Sequence, residues 1–416
     1  MPSTSRQPRP SSAARLGGRI AFVLGTRAEI TRLAPVVHEL GDAAALVHTG
    51  QQHDPLLGTA LLAEWGLAAP DAALDMDDDP SGDGRLERIM LWLDANFTEH
   101  RPAAVVVLGG SMSATAGALA ANGAGIPVVH VGAGARSHDR HEPAERHRVV
   151  VDRLADVLCA VTPENVTQLI DEDYDPDRIV LTGSTAVEAC SRRLPAPARG
   201  AALVDALGLD HDCYVLAALD TLATTERPEL LSTALTALGD AHDGGCQVVL
   251  PLHPRTRSAV VRQGLEPLLD RLRVIDALDR RSLLALASHA AVVVTDSGAV
   301  QEEATLLGRP HLVVRETAEL PESLGGFAEP THPLELARAI RRHLAALPDT
   351  PAQLAETASP FGDGFASERI AEAALAAAAH GGGPPVFRRV IPRAAPDDTG
   401  RRQTTPSAVI DAIVSA

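Results

Sequence analysis

Apolar and polar positions along this chain fall into repeating blocks. A short run of small or β-branched apolar residues ends in a turn, and the turn opens a helix with a 3.6-residue apolar face. Ile20-Ala21-Phe22-Val23-Leu24 is the first run; Gly25-Thr26-Arg27 is its turn, and Ile30, Leu33, Val36, Val37 and Leu40 mark the inward face of the helix. The block repeats over 102–108 with Gly109-Gly110 and a small-residue helix at 113–122, and again at 126–131. Val157 to Val161 predicts another strand, with Thr162 capping a helix that has Pro163 in its first position. A strand at 178–181 ends in Thr182-Gly183-Ser184. The second half restarts with strands at 213–218, 247–252 and 273–275 and helices at 229–238 and 282–287. Strand, helix and strand in this order predict parallel, doubly wound α/β units.

The strongest block is Val292-Val293-Val294-Thr295 with Asp296-Ser297-Gly298 and a helix carrying Glu302 and Glu303. Free N–H groups and the positive helix end suit an anion at Ser297-Gly298. A carboxylate one turn on suits a ribose diol, so a nucleotide fits both halves. The same pattern also describes a capped helix with a solvated acidic face. Gly25-Thr26-Arg27, with a guanidinium fork, and His253-Pro254-Arg255 are further places for phosphate. Between Ala133 and Val149 lie Arg136, His138, Asp139, Arg140, His141, Glu142, Glu145, Arg146, His147 and Arg148. This stretch reads either as a solvated loop and helix start or as the wall of a site.

A chain of 416 residues holds two domains. We divide it into a disordered arm (1–18), an N-terminal Rossmann-like domain (19–195), a C-terminal Rossmann-like nucleotide-binding domain (200–360), a closing helix (361–380) and a flexible tail (381–416). A net charge of −17 argues against a nucleic-acid surface or an anionic membrane, so phosphate binding must be local. No apolar run approaches the length of a membrane span. Cys159, Cys190, Cys213 and Cys246 show no C-x-x-C spacing and read as small core residues in a reducing cytoplasm. The His-rich stretch has no spacing that compels a metal, and no G-x-S-x-G elbow surrounds Ser111 or Ser297.

Taken in order, several motifs resemble those of the non-hydrolysing UDP-N-acetylglucosamine 2-epimerase family. They are Gly25-Thr26-Arg27-Ala28-Glu29, His48-Thr49-Gly50-Gln51-Gln52-His53, Thr182-Gly183-Ser184, the Asp296–Ala304 block with Leu307-Gly308-Arg309-Pro310, and Pro360-Phe361-Gly362-Asp363-Gly364. The resemblance implies a GT-B fold, two Rossmann-like domains facing across a cleft. It also implies a UDP-linked sugar as substrate, no metal or other cofactor, and a homodimer. It assigns Arg27, His253, Asp296, Ser297, Gly298, Glu302 and Glu303 to the nucleotide, along with Arg315, and Glu303 to the ribose; Arg255, beside His253, is a further candidate for the nucleotide.

That family's chemistry removes the proton at sugar C2 as UDP leaves C1, then returns both. It needs positioned acids and bases. Here the family's carboxylate positions fall on Gly110, Gly132 and Ala144, while Glu145 and Arg148 match retained groups. Leu219-Asp220-Thr221 replaces a His-Arg-rich loop. The replacements are expected to open space beside the sugar. The leading expectation is therefore cleavage of the C1–O bond with transfer of the sugar to a small-molecule acceptor. His253, Arg27 and Arg255 would stabilise the leaving diphosphate, and Glu145, His138, His141 or His147 would serve as base. Epimerisation with a relocated acid and base is the alternative, and a non-catalytic nucleotide-sugar binder is a third.

Overall fold

The computed structural model describes residues 16–51, 59–76, 84–194, 196–314, 326–346, 354 and 359–380. The proposed arm up to residue 15, the tail from 381 and Arg315 lie outside them. Two compact units divide between Ala189 and Cys190, and residues 362–380 belong to the first.

The first unit is built on a seven-stranded parallel sheet of β1 (Ile20–Leu24), β2 (Ala44–His48), β3 (Ala72–Ala73), β4 (Ala104–Leu108), β5 (Val128–Ala133), β6 (Val157–Ala160) and β7 (Ile179–Leu181). Their order is β3-β2-β1-β4-β5-β6-β7. Every residue of β1 and β4 is buried, as expected for parallel strands covered on both faces. Helices Arg27–Leu40 and Ala366–His380 cover one face, and Arg85–Glu99, Met112–Gly123 and Pro143–Leu154 contribute to the layer on the other. The Ala366–His380 helix is tied down at its start by Glu188, which accepts from Ser367 N at 2.7 Å and Ser367 Oγ at 2.5 Å. A carboxylate at that end also opposes the helix dipole.

The second unit repeats the plan with β8 (Tyr214–Ala218), β9 (Gln247–Leu252), β10 (Arg273–Asp276), β11 (Val292–Thr295), β12 (His311–Val313) and β13 (Ala328–Pro330). The sheet is again parallel, ordered β10-β9-β8-β11-β12-β13. Val292, Val293 and Val294 are fully buried between two apolar layers. Burying each side chain contributes about 1.5–3 kcal/mol. The Pro- and Ala-rich stretch after Leu194 leads into a helix, Pro197–Ala206, that belongs to this unit.

Both sheets reverse strand order once, between β1 and β4 and between β8 and β11. At such a switch point the following turns diverge and leave a crevice at the strands' C-terminal ends. Among the described residues no helix is long and apolar enough to cross a membrane. Cys159 and Cys190 are buried, but Cys213 is exposed and Cys246 half-buried. The core reading therefore holds for only two of the four.

Candidate functional site

In the first unit the β1 turn is locked by a capping box. Thr26 Oγ1 accepts from the Glu29 amide at 3.3 Å, and Glu29 Oε2 accepts from the Gly25 and Thr26 amides, both at 2.7 Å. The other Glu29 oxygen accepts from Ser111 Oγ in the β4 turn. One buried carboxylate thus joins the two turns flanking the switch point. Burial pushes its carboxyl up, against the opposing pull of Ser111 and the two amides. Arg27 opens the helix and is exposed.

The titratable stretch after β5 is mixed: Arg136 and Glu145 are buried, Asp139, Glu142, His147 and Arg148 are half-buried, and His138, Arg140, His141 and Arg146 are exposed. Glu145 is buried; its Oε2 accepts from Ser137 N at 3.0 Å and from Arg148 Nη2 at 3.0 Å, and its Oε1 accepts from His138 N at 3.1 Å. Burial alone would raise this carboxyl, but the Ser137 amide, Arg148 and the His138 amide outweigh it and hold it below the usual range. Glu145, Arg148 and the His138 backbone are therefore one assembly. The His138 ring is exposed on a residue with φ of +56°, a conformation the Glu145 clamp supports. Glu142 accepts from Ser137 Oγ at 2.7 Å and lies 3.6 Å from Arg148. His147 shares a 2.7 Å hydrogen bond with Thr115 Oγ1, and burial, with Arg146 nearby, pushes its pKa down.

Beneath this assembly runs a buried polar chain. His130 Nδ1 meets Asp152 Oδ1 at 2.6 Å, and His130 Nε2 meets the Gly109 carbonyl at 3.2 Å. Arg136 Nη2 meets Asp152 Oδ2 at 2.7 Å and Glu172 Oε2 at 2.8 Å. The chain holds the Gly109 turn to β5 and to the Pro143–Leu154 helix.

The expectation of open space at the substituted positions fails at Gly110. A Cβ there would lie 2.1 Å from the Ala144 carbonyl oxygen and 2.8 Å from Arg148 Cγ, so the helix start and Arg148 already fill the place. At Gly132 the expectation holds, since nothing stands within 4 Å, although its φ of +83° disfavours any other residue.

In the second unit Asp296 is fully buried and turned inward. Its Oδ1 accepts from Asp220 N at 3.1 Å; its Oδ2 accepts from Thr221 N at 3.1 Å and Thr221 Oγ1 at 2.7 Å. Asp296 thus bridges the turns across the second switch point, as Glu29 does across the first. Ser297 precedes the Gly298–Leu306 helix and makes no side-chain cap, so its hydroxyl is not used by the helix start. Glu302 and Glu303 are buried, which excludes the solvated-face reading, and Glu303 pairs with Arg280 from the Arg280–Ser288 helix. His253 caps the Pro254–Gln263 helix, its Nδ1 accepting from Arg255 N at 3.2 Å. Arg255 Nη1 donates to the Asp220 carbonyl at 2.7 Å.

The structure therefore gathers His253, Arg255 and Asp296 around one loop, with Ser297, Gly298, Glu302 and Glu303 on the adjoining helix. Sequence reasoning gave no role to Glu29, Asp220 or Arg280. The T-x-x-E spacing of Thr26 and Glu29 was a readable signal; the other two contacts are tertiary. Among the described residues no group of three or more His, Cys, Asp or Glu side chains could hold a metal ion.

Two parallel Rossmann-like α/β domains, the second with an anion-ready helix start at its switch point, define the GT-B class of fold. A family model described as UDP-N-acetylglucosamine 2-epimerase matches residues 39–375, and the chain belongs to that family. It is 30% identical over 313 residues to the UDP-N-acetylglucosamine 2-epimerase of Methanococcus maripaludis, covering 74% of this chain and 85% of that protein. It is 29% identical over 314 residues to a UDP-2,3-diacetamido-2,3-dideoxy-D-glucuronate 2-epimerase of Pseudomonas aeruginosa, covering 73% and 85%. Among solved structures, the Methanocaldococcus jannaschii UDP-GlcNAc 2-epimerase in complex with UDP-GlcNAc and UDP matches with a TM-score of 0.74. It is 25% identical, with 85% of this chain and 98% of that chain covered.

Proposed function

We propose that this chain binds a UDP-linked 2-acetamido sugar and inverts the configuration at C2. The observation that carries this reading is the second switch point. There the Ser297-Gly298 helix start, His253 and Arg255 frame a diphosphate site, and buried Glu302 and Glu303 lie a turn beyond for the ribose. In the proposed reaction the C2 proton passes to a protein base while the C1–O bond breaks and UDP departs with the electron pair. UDP then adds back to the glycal as a proton arrives on the opposite face.

His253 and Arg255 stabilise the charge developing on the diphosphate. Glu145 is committed to two amides and Arg148, so its role is to aim Arg148 and the His138 loop. Half-buried Glu142 and His147 are the groups assigned to move the proton. The family alone supports a homodimeric, cytoplasmic enzyme.

A second reading, glycosyl transfer to a small-molecule acceptor, is favoured by Gly132, where the space is open and no carboxylate stands. Incubation with UDP-N-acetylglucosamine in deuterium oxide separates the two. Deuterium at C2 supports epimerisation; UDP release that requires an acceptor, without exchange at C2, supports transfer. Tight binding with neither outcome would leave the chain a nucleotide-sugar binder.

A further inference from the structure

Asp220 stands at the end of β8, on the switch point of the second sheet, and its backbone is fixed from two sides. Its N–H donates to Asp296 and its carbonyl accepts from Arg255. These are main-chain bonds, so they aim the side chain without using it. Its Oδ2 lies 3.9 Å from His253 Nε2. Because His253 Nδ1 accepts from the Arg255 amide, the hydrogen of the neutral ring sits on Nε2, the nitrogen facing Asp220.

The groups around this pair have mixed charge: Asp296 from the β11 turn, Arg255 from the Pro254–Gln263 helix, and Arg280 with its partner Glu303. Burial first, and the Asp296 carboxylate second, push the Asp220 carboxyl up, against the pull of His253, Arg255 and Arg280. The Asp220 side chain still meets water over 40% of its surface, so a proton can reach it. A diphosphate at the Ser297-Gly298 helix start would bring further negative charge to this corner.

We propose that the Asp220–His253 pair takes up a proton when a nucleotide sugar binds, so that the diphosphate meets a neutral acid and an N–H donor instead of a carboxylate. This rests on the nucleotide-sugar reading above. Asp220 is then a specificity residue of the diphosphate site. It favours an anionic ligand that arrives with a proton and opposes the same ligand in alkaline solution.

The test is calorimetric titration of the full chain with UDP-N-acetylglucosamine, from about pH 5 to pH 8, in buffers of different ionisation enthalpy. That ligand suits the purpose because its diphosphate is esterified at both ends and does not titrate near neutrality. The expected result is a binding enthalpy that varies with the buffer, and an affinity that falls with rising pH at up to about tenfold per unit, the limit for one linked proton. Asp220→Asn should abolish most of the buffer dependence and bind more tightly than wild type at the alkaline end. Asp220→Ala should flatten the pH profile in the same way, and unchanged melting curves would show that neither variant acts through unfolding. Binding by wild type with no proton uptake, or uptake undiminished in both variants, would overturn the role of Asp220 alone. No binding by wild type at any pH would sink the nucleotide-sugar reading and this inference with it.

Discussion

Arg148 lies directly over Gly110. A Cβ at Gly110 would come within 2.8 Å of Arg148 Cγ and 2.1 Å of the Ala144 carbonyl oxygen, a backbone atom that moves only with its helix. The methylene stem that faces the glycine ends in a guanidinium held by Glu145 and Glu142. Restoring an acid here therefore means displacing the start of the Pro143–Leu154 helix. Gly110→Asp is expected to lose on the order of 1–3 kcal/mol of stability, the usual cost of overpacking, with no gain in deuterium exchange at sugar C2. A variant that melts with wild type and exchanges faster would refute this account of the packing.

Glu29 and Asp296 solve the same problem in the two units. Each is a buried carboxylate that accepts from amides of one turn and belongs to, or reaches, the turn across the switch point. Asp296→Ala would leave the Asp220 and Thr221 amides and the Thr221 hydroxyl without their acceptor, at about 1–3 kcal/mol for each buried group left unpaired. The expectation is a lower melting temperature together with UDP affinity reduced at least tenfold. Ser297→Ala makes the contrast, because that hydroxyl caps nothing. It should melt like wild type and weaken only UDP binding. The two variants behaving alike in both assays would mean that the bridge is not what shapes the pocket.

Much of this frame was legible in the sequence because parallel strands buried on both faces leave long apolar runs. Ile20–Leu24 and Val292–Thr295 stand out for that reason, and the turns behind them follow from Gly, Ser and Thr at helix starts. Short strands were harder. β3 is two residues long, and β12 places a fully buried histidine, His311, where a pattern reading expects an apolar residue. At the site, sequence pattern picked out Glu145 and Arg148 but not their commitment to each other. Which donors a carboxylate meets depends on how the chain folds back at Ser137 and His138, and no local spacing encodes that. The filled position above Gly110 was illegible for a related reason: a missing side chain in the sequence reads as space until the neighbouring helix is seen to occupy it.

Glu145 should leave a mark on acid stability. Its folded carboxyl sits below the ordinary range, so as pH falls the unfolded chain binds the proton first. The stabilisation is complete above the unfolded value, about 4.3, and is lost as pH drops through the lowered folded value. Glu145→Gln removes it, along with one acceptor for the Ser137 or His138 amide. At about pH 7 the variant is expected to be less stable by on the order of 1–3 kcal/mol, with the gap closing in acid. Urea unfolding of both proteins at about pH 7 and about pH 3 measures this, and a gap that stayed constant would show that the charge of Glu145 contributes nothing.

His311 acts at a different pH. It is fully buried in β12, its Nδ1 donating to the Arg309 carbonyl at 3.2 Å and its Nε2 lacking a hydrogen-bond partner among the described residues. Burial, aided by His343 and only partly offset by the Arg309 contact, lowers its pKa to about 4. The unfolded chain takes up this proton near pH 6.5, well before the folded one does. Stability from the neutral ring is thus fully present above pH 6.5, declines as pH falls toward about 4, and is flat below; the total is about 3 kcal/mol. His311→Leu removes the titrating group and the orphaned nitrogen while keeping an apolar side chain in the strand. Against wild type it should show a shallower loss of stability between about pH 6.5 and pH 4, and it should gain most at the acid end of that window. The chain carries sixteen histidines, so the difference between the two proteins is the quantity to follow. Parallel curves across that window would place the His311 ring in contact with water and contradict its burial in β12.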